Sequence, residues 1–416
     1  MPYRDVADAA WRWVLTQVRW DGDEVSIPES PGMPVDPSYR DGMHSGVGGL
    51  AHALAEIRLS RPWTAEEERL ASAIAAQVSA GVPHAVDYNY FDGLVSAIGV
   101  LTTLGADPAP AVSRLADLAT PDGWPQTGFD PPAFLPGVRV NDLVLGTAGI
   151  VLAAVWTESR ALATRAADLL LAEAEEVPTG LDWAFVPRRF RTDEMVWLPN
   201  FSHGVAGIAT ALAVAGIRFD RPDLVTAATR GAEHLLSLGD GYTVPQRIPV
   251  GEEPVAHGWC HGGSGTSLLY VALARAGVVS VAGEPPMTWH RRALEGVRTS
   301  GLPERLRPGF WDNDGRCCGT AGVGDVFLDS WCRGGEAADL EFAVRLADAL
   351  VARAVVDGPH AYWRFVEHRN DDPLLPPGIG WMQGAAGIAA YLFRVGRALR
   401  GSTEPVPRMD NWWAVS

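Results

Sequence analysis

The chain has 416 residues, of which 47% are hydrophobic and 20% are charged, the composition of a folded globular protein with a sizeable core. All 34 basic residues are arginine, and against 50 acidic residues they give a net charge of −16. A nucleic-acid partner requires a basic stripe, so this charge balance excludes nucleic-acid binding as a function.

The first twenty residues predict an amphipathic helix that carries Asp5 and Asp8. The segment lacks the charged start, apolar run and cleavage site of a signal peptide. No apolar stretch of the chain reaches the roughly 18 residues that a membrane span needs. With only four cysteines and no secretory signal, we expect a reducing, cytoplasmic setting rather than a disulfide scaffold.

One short pattern, Gly-x-x-Gly followed by an apolar helical run, recurs along nearly the whole chain. The first glycine of each copy stands at positions 46, 93, 146, 204, 262, 319 and 384. The second copy is weaker because Ser96 replaces its second glycine. The last copy shows the helical period most clearly, in Ile388, Leu392, Val395 and Leu399. Each copy is therefore predicted to begin a helix.

Further helical stretches with a polar face lie between the copies. One of them, TAEEERLASAIAAQV, begins with a capping box from Thr64 to Glu67. Its predicted apolar side carries Leu70, Ile74 and Val78. Seven alternations of apolar inner and amphipathic outer helices predict an all-α fold, an α,α-barrel (toroid) of seven helical hairpins with seven inner and seven outer helices. We expect a single domain over residues 1–416.

Three stretches rich in glycine and proline interrupt the pattern and are predicted to be loops, at residues 21–43, 119–140 and 368–380. The first or the second is a candidate cover for the barrel mouth. The repeated glycines predict that inner helix starts converge at that mouth, where backbones and a ligand come close. For most copies, a plain helix-start or packing role accounts for the pattern.

Superposed repeats would place the residues ahead of each first glycine in a ring around one opening. These residues are Ser45, Asp92, Leu145, His203, His261, Cys318 and Gln383, with Cys260 and Cys317 one position earlier. Three of the four cysteines thus fall at equivalent positions of neighbouring repeats, which core packing does not readily explain. Cys332 lies outside the pattern and is predicted to be a buried thiol.

Three thiols that converge in a reducing compartment indicate zinc. Zn²⁺ binds thiolates tetrahedrally, and a site with three protein ligands keeps a fourth position open for chemistry. A loop that enters a helix can turn the sulfurs of both Cys317 and Cys318 toward one metal. The alternatives are that these two are core thiols and Cys260 a coincidence, or that the pair forms a strained vicinal disulfide.

The motifs resemble those of the lanthionine synthetase C (LanC) cyclases, the LanC-like glutathione-binding proteins and the cyclase halves of bifunctional lanthipeptide synthetases. The resemblance covers nearly the whole chain and rests on NDLVLGTAG at 141–149, FSHGVAG at 201–207, GWCHGGSG at 258–265, CCGTAG at 317–322 and GWMQGAAG at 380–387. It implies an α,α-toroid whose zinc activates a peptide thiol for addition to dehydroalanine or dehydrobutyrine. The product is a lanthionine or methyllanthionine ring.

Matched position by position, the resemblance implies that Cys260, Cys317 and Cys318 are the zinc ligands. It also implies that His203 and Asp142 are the active-site histidine and aspartate. Cys318 replaces the family's commoner histidine ligand, as in a subgroup of the bifunctional synthetases. Three thiolates and the substrate thiolate give a zinc site twice negative, so we expect the substrate sulfur to be held loosely and to be strongly nucleophilic.

A second departure from the family is Ala256, which stands where stand-alone bacterial enzymes tend to have an arginine. His261 or His257 is a candidate substitute for stabilising the enolate. Histidine titrates near neutrality, so we expect His203 to protonate the α-carbon. Asp142 would deprotonate the incoming thiol or hold the histidine tautomer, an ordinary helix N-cap being the alternative. The pocket is expected to be lined by Trp259 and Trp381, although plain packing explains both.

Three functions stay open at this point. The first is a cyclase acting on a dehydrated precursor peptide alongside a dehydratase or other modification enzymes. The second is an enzyme that adds glutathione or another small thiol to dehydrated residues, and the third is a non-catalytic, zinc-stabilised scaffold that binds a peptide. A carbohydrate enzyme on an α,α-barrel is disfavoured, because it needs paired carboxylates and has no use for three cysteines.

Overall fold

A computed structural model describes residues 2–129, 131–193, 196–251, 255–304, 313–367, 371–411 and 413. The helices in these residues are α1 Pro2–Gln17, α2 Gly48–Ser60, α3 Ala65–Gly81, α4 Leu94–Leu104, α5 Ala109–Asp117, α6 Thr147–Trp156, α7 Arg160–Ala172, α8 Val205–Phe219, α9 Pro222–Ser237, α10 Gly263–Arg275, α11 Pro286–Arg298, α12 Thr320–Cys332, α13 Ala337–Arg353 and α14 Ala385–Ala398. Within the described part of the chain, none of these helices has the length and apolar character needed to cross a membrane.

Four short antiparallel hairpins accompany the helices. Their strands are β1 Arg19–Asp21 with β2 Glu24–Ser26, β3 Glu175–Val177 with β4 Gly180–Asp182, β5 Val355–Asp357 with β6 His360–Tyr362, and β7 Arg364–Val366 with β8 Leu374–Pro377. Two of the stretches predicted to be loops contain strands, β2 in the first and β8 in the third. Residue 130 of the second stretch and residues 368–370 of the third lie outside the described residues. The cover over a barrel mouth stays a prediction.

One compact unit, unit 1, contains residues 1–83, 96–108 and 301–416. In this unit α14 packs against α1, α2, α12 and α13. Every residue of α14 is buried, as expected for an inner helix. The helices α2 and α12 pack against α3 and α13, which follow them in the chain.

Unit 2 contains residues 84–95 and 109–300. Here α6, α8 and α10 each pack against the helix that follows, α7, α9 and α11, and α8 also packs against both α6 and α10. Nine consecutive residues of α6 are buried. The outer helix α9 instead buries one face, with Leu224, Ala228 and Leu235 on it. The predicted alternation of inner and outer helices holds within each unit, and a single domain over residues 1–416 stays a prediction.

The predicted local features are found with one exception. Helix α1 forms within the first twenty residues, and the capping box of α3 is present: Thr64 Oγ1 accepts from Glu67 N at 3.3 Å, and Glu67 Oε2 accepts from Thr64 N at 2.7 Å. The apolar side of α3 is buried as predicted. The prediction for Leu399 was wrong: α14 ends at Ala398, and the Leu399 side chain beyond it is 37% exposed.

The repeated glycines are required by a close approach within the backbone itself. A Cβ on Gly207 would lie 1.9 Å from the carbonyl oxygen of Phe201, and one on Gly322 would lie 1.8 Å from that of Arg316. Both carbonyls stand six residues earlier in the chain. No side chain can occupy such a position, so only glycine lets the loop fold back onto the helix start.

The folded-back loops cap the inner helices with their own carbonyl groups. Before α12, Thr320 N donates to Asn313 O at 3.1 Å and Ala321 N donates to Asp314 O at 3.3 Å, each bond reaching back seven residues. These bonds satisfy helix N–H groups that would otherwise lack a partner. This finding confirms the helix-start role of the glycines.

A buried network of charged side chains fills the interior of unit 1 behind the α12 loop. Asp325 pairs with Arg316 at 2.5 Å, with Arg394 at 3.1 Å and with Arg408 at 3.5 Å. Burial alone would raise the pKa of Asp325, but the three guanidinium groups hold it well below its usual range. The network therefore needs the ionised carboxylate.

We expect Asp325→Ala to lower the free energy of unfolding by about 3–5 kcal/mol, because it leaves buried guanidinium groups without their counter-charge. Urea unfolding of the full chain at neutral pH, followed by circular dichroism, measures the change. Asp23→Ala, at an exposed turn, is the control and should change the value by less than about 0.5 kcal/mol.

The pKa of Asp325 is lower in the folded than in the unfolded chain, so its contribution is complete above about pH 4 and is lost as the pH falls. The difference between wild type and Asp325→Ala should therefore shrink in acid. A loss at neutral pH no larger than that of Asp23→Ala contradicts the role given to the network.

Candidate functional site

Neighbouring glycine loops in unit 2 are joined by backbone hydrogen bonds at equivalent positions. Tyr90 N donates to Val144 O at 2.7 Å, and Val144 N donates to Ser202 O at 3.3 Å. Ser202 N in turn donates to Cys260 O at 3.0 Å. The residues ahead of the first glycines in these repeats are thus held side by side, as superposed repeats predict.

The same arrangement occurs in unit 1. Cys317 N donates to Met382 O at 2.9 Å, and Met382 N donates to His44 O at 3.1 Å. The loop that carries the two adjacent cysteines therefore hangs on the loop before α14, and that loop hangs on the loop before α2.

His203 and Asp142 form a hydrogen-bonded pair in unit 2. Asp142 Oδ2 lies 2.5 Å from His203 Nδ1, and Asp142 Oδ1 accepts from Leu145 N at 2.7 Å. The carboxyl is fully buried, whereas the His203 side chain is 25% exposed. Burial raises the pKa of Asp142, and the hydrogen bond to His203 opposes that rise. Since the N-cap of α6 is Gly146, the N-cap alternative for Asp142 does not hold.

The pairing with Asp142 decides what His203 can do. A carboxylate only accepts hydrogen bonds, so an ionised Asp142 holds a proton on Nδ1 and leaves Nε2 for exchange with a ligand. Phe185 packs edge-on against the His203 ring with centroids 5.7 Å apart. The His261 ring lies 5.4 Å away on the same measure. Two imidazoles therefore stand next to each other, and one of them is fixed by a buried carboxyl group.

Both tryptophans expected to line the pocket are buried in packing contacts. The Trp259 ring lies 5.4 Å from that of Phe201 and 6.1 Å from that of Phe91. The Arg316 guanidinium stacks over the Trp381 ring at 4.2 Å. These contacts agree with the packing alternative, and a contact of either indole with a substrate stays a prediction.

The three cysteines of the repeats are buried in the loops that precede α10 and α12. The sulfur atoms of Cys260, Cys317 and Cys318 lie within 4.8 Å of one another, and this group could hold a metal ion. Sulfurs bound to one zinc at about 2.3 Å stand roughly 3.8 Å apart in a tetrahedral site. The donor set and its spacing therefore fit zinc. Cys332, predicted to be buried, is half-buried at the end of α12, and burial raises its thiol pKa.

The sequence pattern of the family described as "Lanthionine synthetase C-like protein" matches residues 37–397. The chain belongs to this LanC-like family. No protein with a curated description matches its sequence.

Two solved structures resemble this LanC-like chain over almost its whole length. Nisin cyclase is 13% identical with a TM-score of 0.59, and the match covers 91% of this chain and 93% of that one. The Lin0763 protein from Listeria innocua is 11% identical with a TM-score of 0.53, covering 97% and 100%. These likenesses show the fold, and with the family membership they confirm the all-α fold class predicted as an α,α-barrel.

Two residues of the LanC-like chain gain interest from the structure that the sequence did not give them. Burial, followed by the neighbouring charge of Asp87, raises the pKa of Asp92 to about 7. Arg316 is buried at the position that Trp259 and Trp381 occupy in their own loops. A charged residue in an aromatic position was the available signal. Ala256 is buried and uncharged, and a substitute for the family arginine, whether His261 or His257, stays a prediction.

We expect the purified LanC-like protein to contain one zinc per chain, because the three thiols match the ligand set that zinc prefers. Metal analysis measures it. Replacing Cys260, Cys317 and Cys318 together by serine should remove the zinc, while Cys332→Ser should retain it. Zinc that persists in the triple variant, or a wild type without zinc after reduction and reloading, contradicts this site.

Proposed function

We propose that this protein is a zinc-dependent lanthipeptide cyclase. It adds cysteine thiols of a dehydrated precursor peptide to dehydroalanine or dehydrobutyrine and forms lanthionine or methyllanthionine rings. The observation that carries the proposal is the group of three buried thiols, Cys260, Cys317 and Cys318, in a LanC-like chain. A dehydratase would supply the peptide, and a reducing cytoplasm would keep the thiols available.

The three cysteines would hold the zinc and leave its fourth position to the peptide. When bound, zinc lowers the pKa of a peptide thiol and so supplies a thiolate at neutral pH. The cysteine loops contribute rigidity, because Cys317 N and Cys260 O are both engaged in backbone hydrogen bonds. A rigid ligand loop keeps the sulfurs in place when the peptide arrives.

His203 would deliver the proton that completes the addition. The sulfur forms a bond to the β-carbon, the carbon–carbon double bond breaks, and the α-carbon takes up a proton. Protonated His203 donates it from Nε2, while Asp142 keeps Nδ1 protonated and the ring oriented. The proton lost by the peptide thiol balances the one gained at the α-carbon, so no other reactant is needed.

The His203–Asp142 pair also supports an enzyme over a scaffold. A buried carboxyl group that fixes a partly exposed imidazole has the geometry of an acid–base pair. A protein that only binds peptides has no need of it.

We expect Asp142→Asn and His203→Asn each to reduce the rate of ring formation by about 100-fold or more, the usual contribution of acid–base catalysis. Mass spectrometry of a dehydrated peptide with its thiols alkylated after reaction measures the rate. Zinc content should stay at the wild-type level, and His84→Asn, at an exposed histidine, should keep full activity. Unchanged ring formation in both variants would show that the pair has no catalytic role.

The same assay separates the cyclase from an enzyme that uses small thiols. With glutathione present, a cyclase should yield internal thioether rings, because the peptide cysteine reacts intramolecularly at high effective concentration. Glutathione adducts as the main enzyme-dependent product would favour the small-thiol function. Peptide binding without either product would favour the scaffold.

A further inference from the structure

A cavity of about 430 Å³ in unit 1 has no role in the reaction as described so far. Its walls are mainly apolar and include Met33, Phe365, Leu375, Pro376 and Ile379. One end is polar and is formed by His44, Ser45 and Gln383. The volume lies in the range of about 300–1,000 Å³ that is typical of ligand sites.

The polar end of the cavity adjoins the loop that carries Cys317 and Cys318. The Gln383 Oε1 atom lies 3.0 Å from where a Cβ of Gly315 would be. The residue before Gln383, Met382, accepts hydrogen bonds from Arg316 N at 2.7 Å and from Cys317 N at 2.9 Å. A ligand in the cavity therefore reaches the same loop that presents the two thiols.

Gln383 Oε1 has an unmet requirement. The atom is buried, yet among the described residues no donor lies within hydrogen-bonding distance and angle. Leaving a buried acceptor unpaired is unfavourable, so the oxygen favours a ligand that brings an N–H group. A peptide backbone amide provides one.

We propose that this cavity binds the peptide residue next to the reacting cysteine. Its apolar side chain fills the space between Leu375 and Ile379, and its backbone N–H donates to Gln383 Oε1. The inference rests on the proposed function, since it states which part of the substrate accompanies the thiol. It makes Gln383 and Leu375 specificity residues, and it predicts a preference for large apolar neighbours of cysteine.

The test measures binding of two labelled peptides to the zinc-loaded full chain by fluorescence anisotropy. One peptide is Gly-Gly-Leu-Cys-Leu-Gly-Gly, and the other has glycine in place of both leucines. The leucine peptide should bind about tenfold more tightly, as expected for burial of one leucine side chain. In Leu375→Trp the indole fills the cavity, and the two affinities should agree within about twofold.

Two further variants control for folding and position. Met33→Trp narrows the cavity from its exposed rim and should also weaken the leucine preference without disturbing the core. Val356→Trp places the same indole on β5, at a side chain that is 67% exposed and does not line the cavity. It should keep the full preference. Zinc content and thermal unfolding confirm that each variant is folded.

The amide contact has its own test. Gln383→Met keeps the side-chain length but removes the acceptor, and it should weaken binding of the leucine peptide about two- to tenfold. A leucine peptide N-methylated at both leucines lacks the donor, so it should bind wild type and Gln383→Met equally. Equal weakening of both peptides by Gln383→Met would overturn the hydrogen bond.

The subsite is overturned if wild type binds neither peptide, binds both equally, or keeps its preference in Leu375→Trp and Met33→Trp. Failure of the proposed function looks different. A protein that prefers the leucine peptide but forms no ring from a dehydrated substrate contradicts the cyclase and leaves the subsite standing. Ring formation without any preference contradicts the subsite alone.

Discussion

The contact on which the functional loops depend is a backbone carbonyl oxygen packed against a glycine six residues later. It closes each loop onto the start of the following inner helix, where the loop carbonyls satisfy the helix N–H groups. A Cβ at Gly265 would lie 1.9 Å from Trp259 O, so the loop that carries Cys260 exists only because residue 265 has no side chain. The glycines thus fix the positions of the reactive residues without contacting a substrate.

Tightly closed loops can then be joined edge to edge. The hydrogen bond from Ser202 N to Cys260 O places the His203 loop against a cysteine loop, and the bond from Cys317 N to Met382 O does the same for the cysteine pair in unit 1. Backbone atoms make both contacts, so the side chains are left to chemistry. This division explains how one scaffold presents thiols, imidazoles and an amide at equivalent positions of its repeats.

Charge is handled separately from reactivity. Arg316 stands directly before Cys317, but its guanidinium is buried, pairs with Asp325 and stacks on Trp381. The cluster anchors the cysteine loop from within unit 1. On the other side of that loop, the cavity at Gln383 presents an apolar wall and an unpaired acceptor, features that suit a peptide better than a small charged thiol.

The sequence alone determined the periodic features. Glycines at a nearly constant spacing, helical apolar runs and the Thr64 capping box are local patterns, so the inner and outer helices and the equivalence of the three cysteines could be read directly. The tertiary structure decided what depends on contacts between distant residues. It pairs His203 with Asp142, 61 residues away, and it leaves Gln383 Oε1 unpaired beside a cavity. It also buries Arg316, a residue that no local pattern marks as an interior one, because the carboxylates that neutralise it are fixed only when α12 and α14 pack together.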